Sequence, residues 1–107
     1  MSSFDQRKDA FENKFALDEE LRFKATARRN KLLGLWAGEK LGKSGAEADA
    51  YAKSVVVADF EEAGDEDVVR KVKGDFASAN VAVSDEEIRR VMTELLIRAA
   101  EEIQAGR

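Results

Sequence analysis

No proline occurs among the 107 residues of this chain, and this absence limits its fold more than any other feature of the sequence. A proline inside a helix costs about 3 kcal/mol, so no segment of this chain carries a fixed helix breaker. Alanine, the residue with the highest helix propensity, occurs 17 times. We therefore predict an all-α fold.

Cysteine and histidine are also absent from the sequence. The chain thus lacks the usual ligands of zinc and iron–sulfur sites, a thiol nucleophile and an imidazole base. We predict that it is not an enzyme, has no metal site and requires no cofactor. No apolar run approaches the roughly 20 residues of a membrane span, and the first 17 residues lack the apolar block of a signal peptide. We expect no direct membrane insertion and a cytoplasmic location.

The formal net charge is −4, but the two parts of the chain differ in sign. Residues 1–43 carry 10 basic and 7 acidic side chains, a net +3, whereas residues 44–107 carry 8 and 15, a net −7. An anionic ligand or partner surface is therefore expected at the first part. Because the neutralisation of phosphates supplies most non-specific affinity for nucleic acids, the net acidic chain is predicted not to bind them.

Apolar residues recur at helical spacing in four runs. These predicted helices are residues 18–41, 44–63, 65–79 and 84–105. Short loops between amphipathic helices favour a bundle around one core. We therefore assign residues 18–107 to a four-helix bundle domain and residues 1–17 to a separate N-terminal segment. The apolar arc of the first helix is predicted to contain Leu17, Leu21, Ala25, Leu32, Leu35 and Trp36.

Three helix starts carry capping signals. Ser44 with Glu47, and Ser84 with Glu87, have the spacing of a capping box, in which a hydroxyl and a carboxylate satisfy two backbone donors reciprocally. Asp65 is predicted to cap the third helix by itself, with its carboxylate accepting from a backbone amide of the first turn. These signals support the predicted helix boundaries.

The N-terminal segment carries a narrow aromatic stripe formed by Phe4, Phe11 and Phe15. A helix this short with so thin an apolar seam is marginal in water by itself, so we predict a marginally stable or mobile segment. It either docks on the bundle to complete the core or lies in a groove of another protein. Aromatic anchors dominate interface energetics, which favours partner binding.

A basic edge beside an aromatic ring is the candidate ligand site of the first helix. Arg22, Arg29 and Lys40 follow one edge of the apolar arc next to Trp36. Guanidinium groups bind phosphate oxygens and an indole stacks on a base, so these residues are candidates for a nucleotide site. The alternative is that the basic side chains border a core stripe with Trp36 inside it. Bordering charges are the commoner arrangement on amphipathic helices.

Residues 37–44, AGEKLGKS, fit a relaxed phosphate-binding loop in which Ala37 replaces the first glycine. A true loop of this kind follows a β-strand and opens a helix, whereas residues 30–36 have a helical pattern. We therefore interpret Gly42 as a helix C-cap followed by Ser44 as a helix N-cap.

A dense acidic cluster lies between the second and third predicted helices. Its members are Glu61, Glu62, Asp65, Glu66 and Asp67. Catalytic carboxylates need converging geometry and unequal burial, and a calcium loop needs fixed alternation, which this run lacks. We predict a solvated loop with a helix cap and no metal, and the alternative is a magnesium or calcium site.

Four stretches carry a resemblance to a known family. They are FDQR (residues 4–7), AFENKFA (10–16), DEELRFK (18–24) and ARRNKLLGLWA (27–37). With these, the chain closely resembles the zeta subunits of the rotary F-type ATP synthases of alpha-proteobacteria. The specific part of the resemblance covers residues 4–42.

The resemblance implies a non-catalytic regulator that inhibits ATP hydrolysis by binding the catalytic head of the synthase, at the periphery of the inner membrane. The N-terminal segment would be the inhibitory element, and the bundle would bind ADP or ATP as a regulatory ligand. Carried onto this chain, the inhibitory role falls on Phe4, Asp5, Arg7, Phe11, Lys14 and Phe15. The alternative is a non-enzymatic helical adaptor that binds another protein through the phenylalanine stripe.

Overall fold

The structure is a computed structural model that describes residues 19–59 and 65–106. Its helices are α1 (Glu19–Lys40), α2 (Gly45–Ala58), α3 (Glu66–Ser78) and α4 (Asp85–Gln104). No strand is present in the described ranges. The predicted all-α fold and four-helix bundle are confirmed, and the predicted N-terminal segment 1–17 lies outside the described residues.

Helix α1 is the most extensively packed helix of the bundle, because it lies against both α2 and α4 and also contacts α3. Its buried apolar side chains are Leu21, Ala25, Leu33 and Ala37. The predicted arc was right at Leu21 and Ala25, but Leu32, Leu35 and Trp36 are only half-buried. A helix with partners on several sides is buried around much of its circumference, so a single apolar arc describes it poorly.

Two groups of buried side chains form the core. The main group joins all four helices around Phe76, the largest fully buried side chain. It contains Leu33, Ala37, Tyr51, Val55, Val68, Val69, Val72, Phe76, Ile88, Val91 and Met92. A smaller group of Leu21, Ala25, Ala99 and Ala100 holds the first half of α1 against the second half of α4. Alanines on both helices let these two backbones approach closely.

Helices α1 and α2 approach each other closely at Gly34. A Cβ atom placed on Gly34 would lie 2.5 Å from the Cα atom of Ala52. One turn further on, a Cβ atom on Gly38 would lie 3.8 Å from the Cα atom of Ala48. Glycine is therefore required at Gly34 by the approach of another backbone and not by its own dihedral angles.

The turn after α1 is a helix C-cap, as predicted. Gly42 has a φ of 79°, the left-handed conformation that glycine adopts without strain. The Lys43 amide donates to the Gly38 carbonyl at 2.9 Å and the Gly42 amide to the Glu39 carbonyl at 3.0 Å. These two bonds define a Schellman motif. Residues 37–44 thus end one helix and start the next, without the strand that a phosphate-binding loop needs.

The capping predictions were right at one of the three helix starts. The Ser84 hydroxyl accepts from the Glu87 amide at 3.0 Å, which confirms this cap of α4. Ser44 and Asp65 occupy the N-cap positions of α2 and α3, but neither side chain makes a capping hydrogen bond within the described part of the chain. Sequence spacing identifies the position of a cap, whereas the side chain's orientation also depends on its tertiary partners.

Helix α2 ends at Ala58, five residues before the predicted end at Ala63. The Asp59 amide donates to the Val56 carbonyl at 3.3 Å, a tighter i→i−3 bond of the kind that closes a helix. Residues 60–64 lie outside the described ranges. The prediction extended the helix because nothing before Gly64 is a recognised helix breaker.

An ion-pair cluster joins the starts of α3 and α4. The Arg89 guanidinium donates to both carboxylate oxygens of Glu66 at 3.0 Å and to Asp85 at 3.2 Å. These hydrogen bonds from Arg89 lower the pKa of both carboxyl groups. Because the cluster is exposed, it orients the starts of α3 and α4 relative to each other more than it adds to the stability of the fold.

Two glycine-to-alanine variants test the α1–α2 contact. Alanine is the better helix former by about 1 kcal/mol, so Gly74→Ala, whose Cβ would meet open space, should raise the free energy of unfolding by about 0.5–1 kcal/mol. Gly34→Ala forces the two backbones apart and should instead lower it by about 1–3 kcal/mol. Urea unfolding of both variants provides the measurement, and equal stabilisation by the two would show that the contact does not constrain the fold.

Candidate functional site

The four candidate nucleotide residues lie along α1 and do not meet at one place. Arg22 and Lys40 are 18 residues apart, which corresponds to about 27 Å along a helix axis. Only Trp36 and Lys40 are in contact, with the Lys40 Nζ 5.3 Å from the centre of the indole. A single small ligand therefore cannot contact all four side chains in this structure.

Arg29 is a buried structural residue. Only 2% of its surface is exposed. Its Nε donates to the Asn30 Oδ1 at 3.0 Å, and its terminal nitrogen donates to the Asp65 Oδ1 at 2.8 Å. The guanidinium thereby attaches the start of α3 to the middle of α1. The sequence did not reveal this pair, since Asp65 is 36 residues away.

Trp36 belongs to the edge of the core. Its ring meets the Phe76 ring edge-on, with centroids 5.8 Å apart and an interplanar angle of 87°. The indole is half-buried, and Lys40 covers part of it in a cation–π contact. This arrangement agrees with the alternative given by the sequence, in which Trp36 lies in the core and Lys40 borders it.

The three described acidic residues at the start of α3 each pair with an arginine. Asp65 pairs with Arg29, Glu66 with Arg89, and the Asp67 Oδ1 with Arg70 at 2.7 Å. The predicted solvated loop is corrected at Asp67, whose side chain is only 4% exposed. Glu61 and Glu62 lie outside the described residues. Within residues 19–59 and 65–106, including Asp65, Glu66 and Asp67, no group of three acidic, histidine or cysteine side chains is arranged to hold a metal.

A concave surface between α1 and α2 was not predicted from the sequence. It consists of a hollow of about 350 Å³ and a second of about 530 Å³, with Val56 lining both. We call it the α1–α2 groove. The first hollow is lined by Glu19, Arg22, Phe23, Thr26, Ala27, Asn30, Val56 and Asp59. The second is lined by Lys31, Asp49, Ala52, Lys53, Val56 and Val57.

The α1–α2 groove carries the most exposed large apolar side chains of the described residues. Phe23 is 72% exposed and Val57 is 58% exposed. Among the described residues, none from α3 or α4 lines either hollow. Phe23 falls off the predicted apolar arc of α1, and an aromatic residue on the polar side of an amphipathic helix was the signal that could have identified this surface.

A smaller polar cluster surrounds Tyr51, in the middle of α2. The Tyr51 hydroxyl donates to the Asp75 Oδ2 at 2.7 Å, and Lys71 approaches the same oxygen at 3.1 Å. Lys71 and Lys43 also lie over the Tyr51 ring, at 5.2 Å and 5.9 Å from its centre. Burial, followed by the contact with Asp75, raises the pKa of Tyr51 above its ordinary value. The cluster ties α2 to the end of α3.

None of the helices in the described part of the chain is long and apolar enough to cross a membrane.

Removal of the Arg29 side chain and removal of the Arg22 side chain should change the free energy of unfolding by different amounts. Arg29→Ala leaves Asn30 and Asp65 without their buried partner and should lower the free energy of unfolding by about 2–3 kcal/mol. Arg22→Ala, at the border of the groove, should change it by less than about 0.5 kcal/mol. Chemical denaturation compares the two, and equal small effects would contradict the structural role of Arg29.

Comparison with known proteins places the chain in a family. No curated protein sequence matches it. A protein solved in solution by NMR has 50% sequence identity, with a TM-score of 0.72 over 81% of this chain and 99% of that one. The family model for ATPase inhibitor subunit zeta matches residues 1–102. A match over nearly the whole length, with a similar fold at 50% identity, shows that this chain belongs to the family of ATPase inhibitor zeta subunits.

Proposed function

We propose that this chain inhibits ATP hydrolysis by binding the catalytic head of an F-type ATP synthase, on the cytoplasmic side and at the periphery of the inner membrane. The observation that carries the proposal is the family match, which begins at residue 1 and so includes the N-terminal segment with the bundle. The chain would act by binding alone, since the sequence contains neither an imidazole nor a thiol.

The inhibitory element in this proposal is the N-terminal segment 1–17. Phe4, Phe11 and Phe15 would lie in an interface between subunits of the head, in the helix-in-groove mode, and block the rotary cycle. Ordering the segment on binding costs free energy, and burial of three aromatic rings offsets that cost. The polar candidates Asp5, Arg7 and Lys14 would border these anchors in the complex.

Deletion of residues 1–17 separates the inhibitory element from the bundle. We expect the shortened chain to lose at least 90% of the inhibition of ATP hydrolysis by the isolated head, because the aromatic anchors are removed, an estimate based on the dominance of such anchors in interfaces. It should still unfold cooperatively, because the described core lies within α1–α4. The measurements are ATPase activity and thermal unfolding of the same preparations.

The full-length variant with Phe4, Phe11 and Phe15 all changed to serine is the matched control, since it keeps the length and charge of the segment. Inhibition retained by both variants would reject the segment as the inhibitory element. If the intact chain neither binds nor inhibits the head, the alternative proposal gains support, in which the chain is a helical adaptor that binds another protein through the same stripe.

A second proposal concerns a regulatory nucleotide. The bundle would bind ADP or ATP at the Trp36 end of α1, where Lys40 lies over the indole. The Arg22 end is less suitable, because Glu19 and Asp59 line the same hollow and repel phosphate groups. This choice uses two of the four candidate residues, and Arg29 is already engaged by Asp65.

Lys40→Ala should weaken ADP binding by about fivefold, the effect of one exposed charge contact. Arg22→Ala is the matched control and should leave binding unchanged. Trp36 is the single tryptophan of the chain, so its fluorescence reports the titration, with calorimetry as an independent readout. A larger loss of ADP affinity in Arg22→Ala than in Lys40→Ala would place the site at the other end of α1. Absence of binding heat at millimolar ADP would reject the nucleotide proposal.

A further inference from the structure

We infer that the α1–α2 groove is a second docking surface for the catalytic head, contiguous with the surface that receives residues 1–17. The inference rests on the proposed inhibitory function and adds the bundle itself to the interface. Its structural basis is the exposure of Phe23 and Val57 on a concave surface that no other described helix covers.

Chain connectivity brings the groove to the head. Residue 18 alone separates the N-terminal segment from Glu19, the first residue of α1 and a member of the first hollow. Two residues span at most about 7 Å, and Phe23 is one helical turn further, about 6 Å along the axis. When residues 1–17 occupy their site on the head, Phe23 is therefore held next to the point at which the segment enters.

The area that the three phenylalanines of the segment bury leaves room for a second contact. An aromatic side chain buries about 150–250 Å², so three phenylalanines bury about 450–750 Å² together. Stable specific interfaces bury about 800 Å² on each partner. The groove offers further contact area, because two large apolar side chains already project from it and need no rearrangement to be covered.

The charged border of the groove matches a protein partner. The border contains three cations and three anions, which are Arg22, Lys31, Lys53, Glu19, Asp49 and Asp59. A polyanion such as a nucleic acid or an acidic membrane requires an excess of cations, which this border lacks. An apolar centre with a rim of both signs is the usual anatomy of a protein–protein interface.

Three serine variants of the full-length chain test the inference through inhibition of ATP hydrolysis by the isolated head. Phe23→Ser should raise the concentration for half-maximal inhibition about tenfold and Val57→Ser about threefold, as expected for a central and a peripheral apolar contact. Ala77→Ser, on the exposed side of α3, is the control and should change nothing. All three should keep the parental melting temperature within about 2 °C, because exposed substitutions rarely alter stability.

The results separate the two proposals. A parental chain that does not inhibit contradicts the proposed function, and the thiol protection described below then decides the groove. Inhibition by the parental chain that Phe23→Ser and Val57→Ser leave unchanged overturns the docking surface and leaves the proposed function intact. Stronger inhibition by either variant also overturns it, because the groove would then hold the N-terminal segment away from the head.

Thiol protection gives a second readout that does not depend on activity. The chain has no cysteine of its own, so Val57→Cys and Ala77→Cys each create a unique thiol. Maleimide labelling, followed by mass spectrometry of this chain, should slow at least tenfold at position 57 when the head is added, while position 77 keeps its rate. Equal rates with and without the head overturn the inference. Slow labelling of position 57 in the free chain also overturns it, since the chain or a second copy would cover the groove.

Discussion

The approach of α1 to α2 at Gly34 and Ala52 is the contact on which the remaining packing depends. With only hydrogen on one side and a methyl group on the other, the two backbones lie closer than larger side chains permit. This proximity lets α1 keep its other sides for α4 and α3, which complete the two parts of the core. It also forms the α1–α2 groove, because two closely paired helices leave a shallow channel on the side that no third described helix covers.

Charge inside this bundle is used for assembly as well as for solubility. Arg29 looks like a ligand-binding cation in the sequence, yet it is almost completely buried and joined to Asn30 and Asp65. A buried guanidinium is costly unless hydrogen bonds and an anion compensate it, and these partners provide both. Part of the positive charge of residues 1–43 is thus internal to the fold. The surface that remains for a partner is correspondingly closer to neutral, as the border of the groove also is.

Local signals were sufficient for the elements, and tertiary contacts were required for the site. The glycine C-cap at Gly42 and the serine cap at Ser84 depend on neighbours within six residues, so the sequence pattern predicted them. The Arg29–Asp65 pair joins residues far apart in the chain, and the exposure of Phe23 follows from which sides of α1 the other helices cover. No spacing rule contains that information, because it belongs to the arrangement of helices in space.

The position at which α1 begins also decides how the bundle carries force. Glu19 is the first residue of α1, and the contacts of α1 with α2 and α4 extend along much of the helix. A pull on the preceding chain along the axis of α1 therefore loads many side-chain contacts at once, in shear. Peeling, by contrast, would break them one after another. In the proposed complex, a force on the N-terminal end of α1 would therefore meet the mechanically stronger of these two responses.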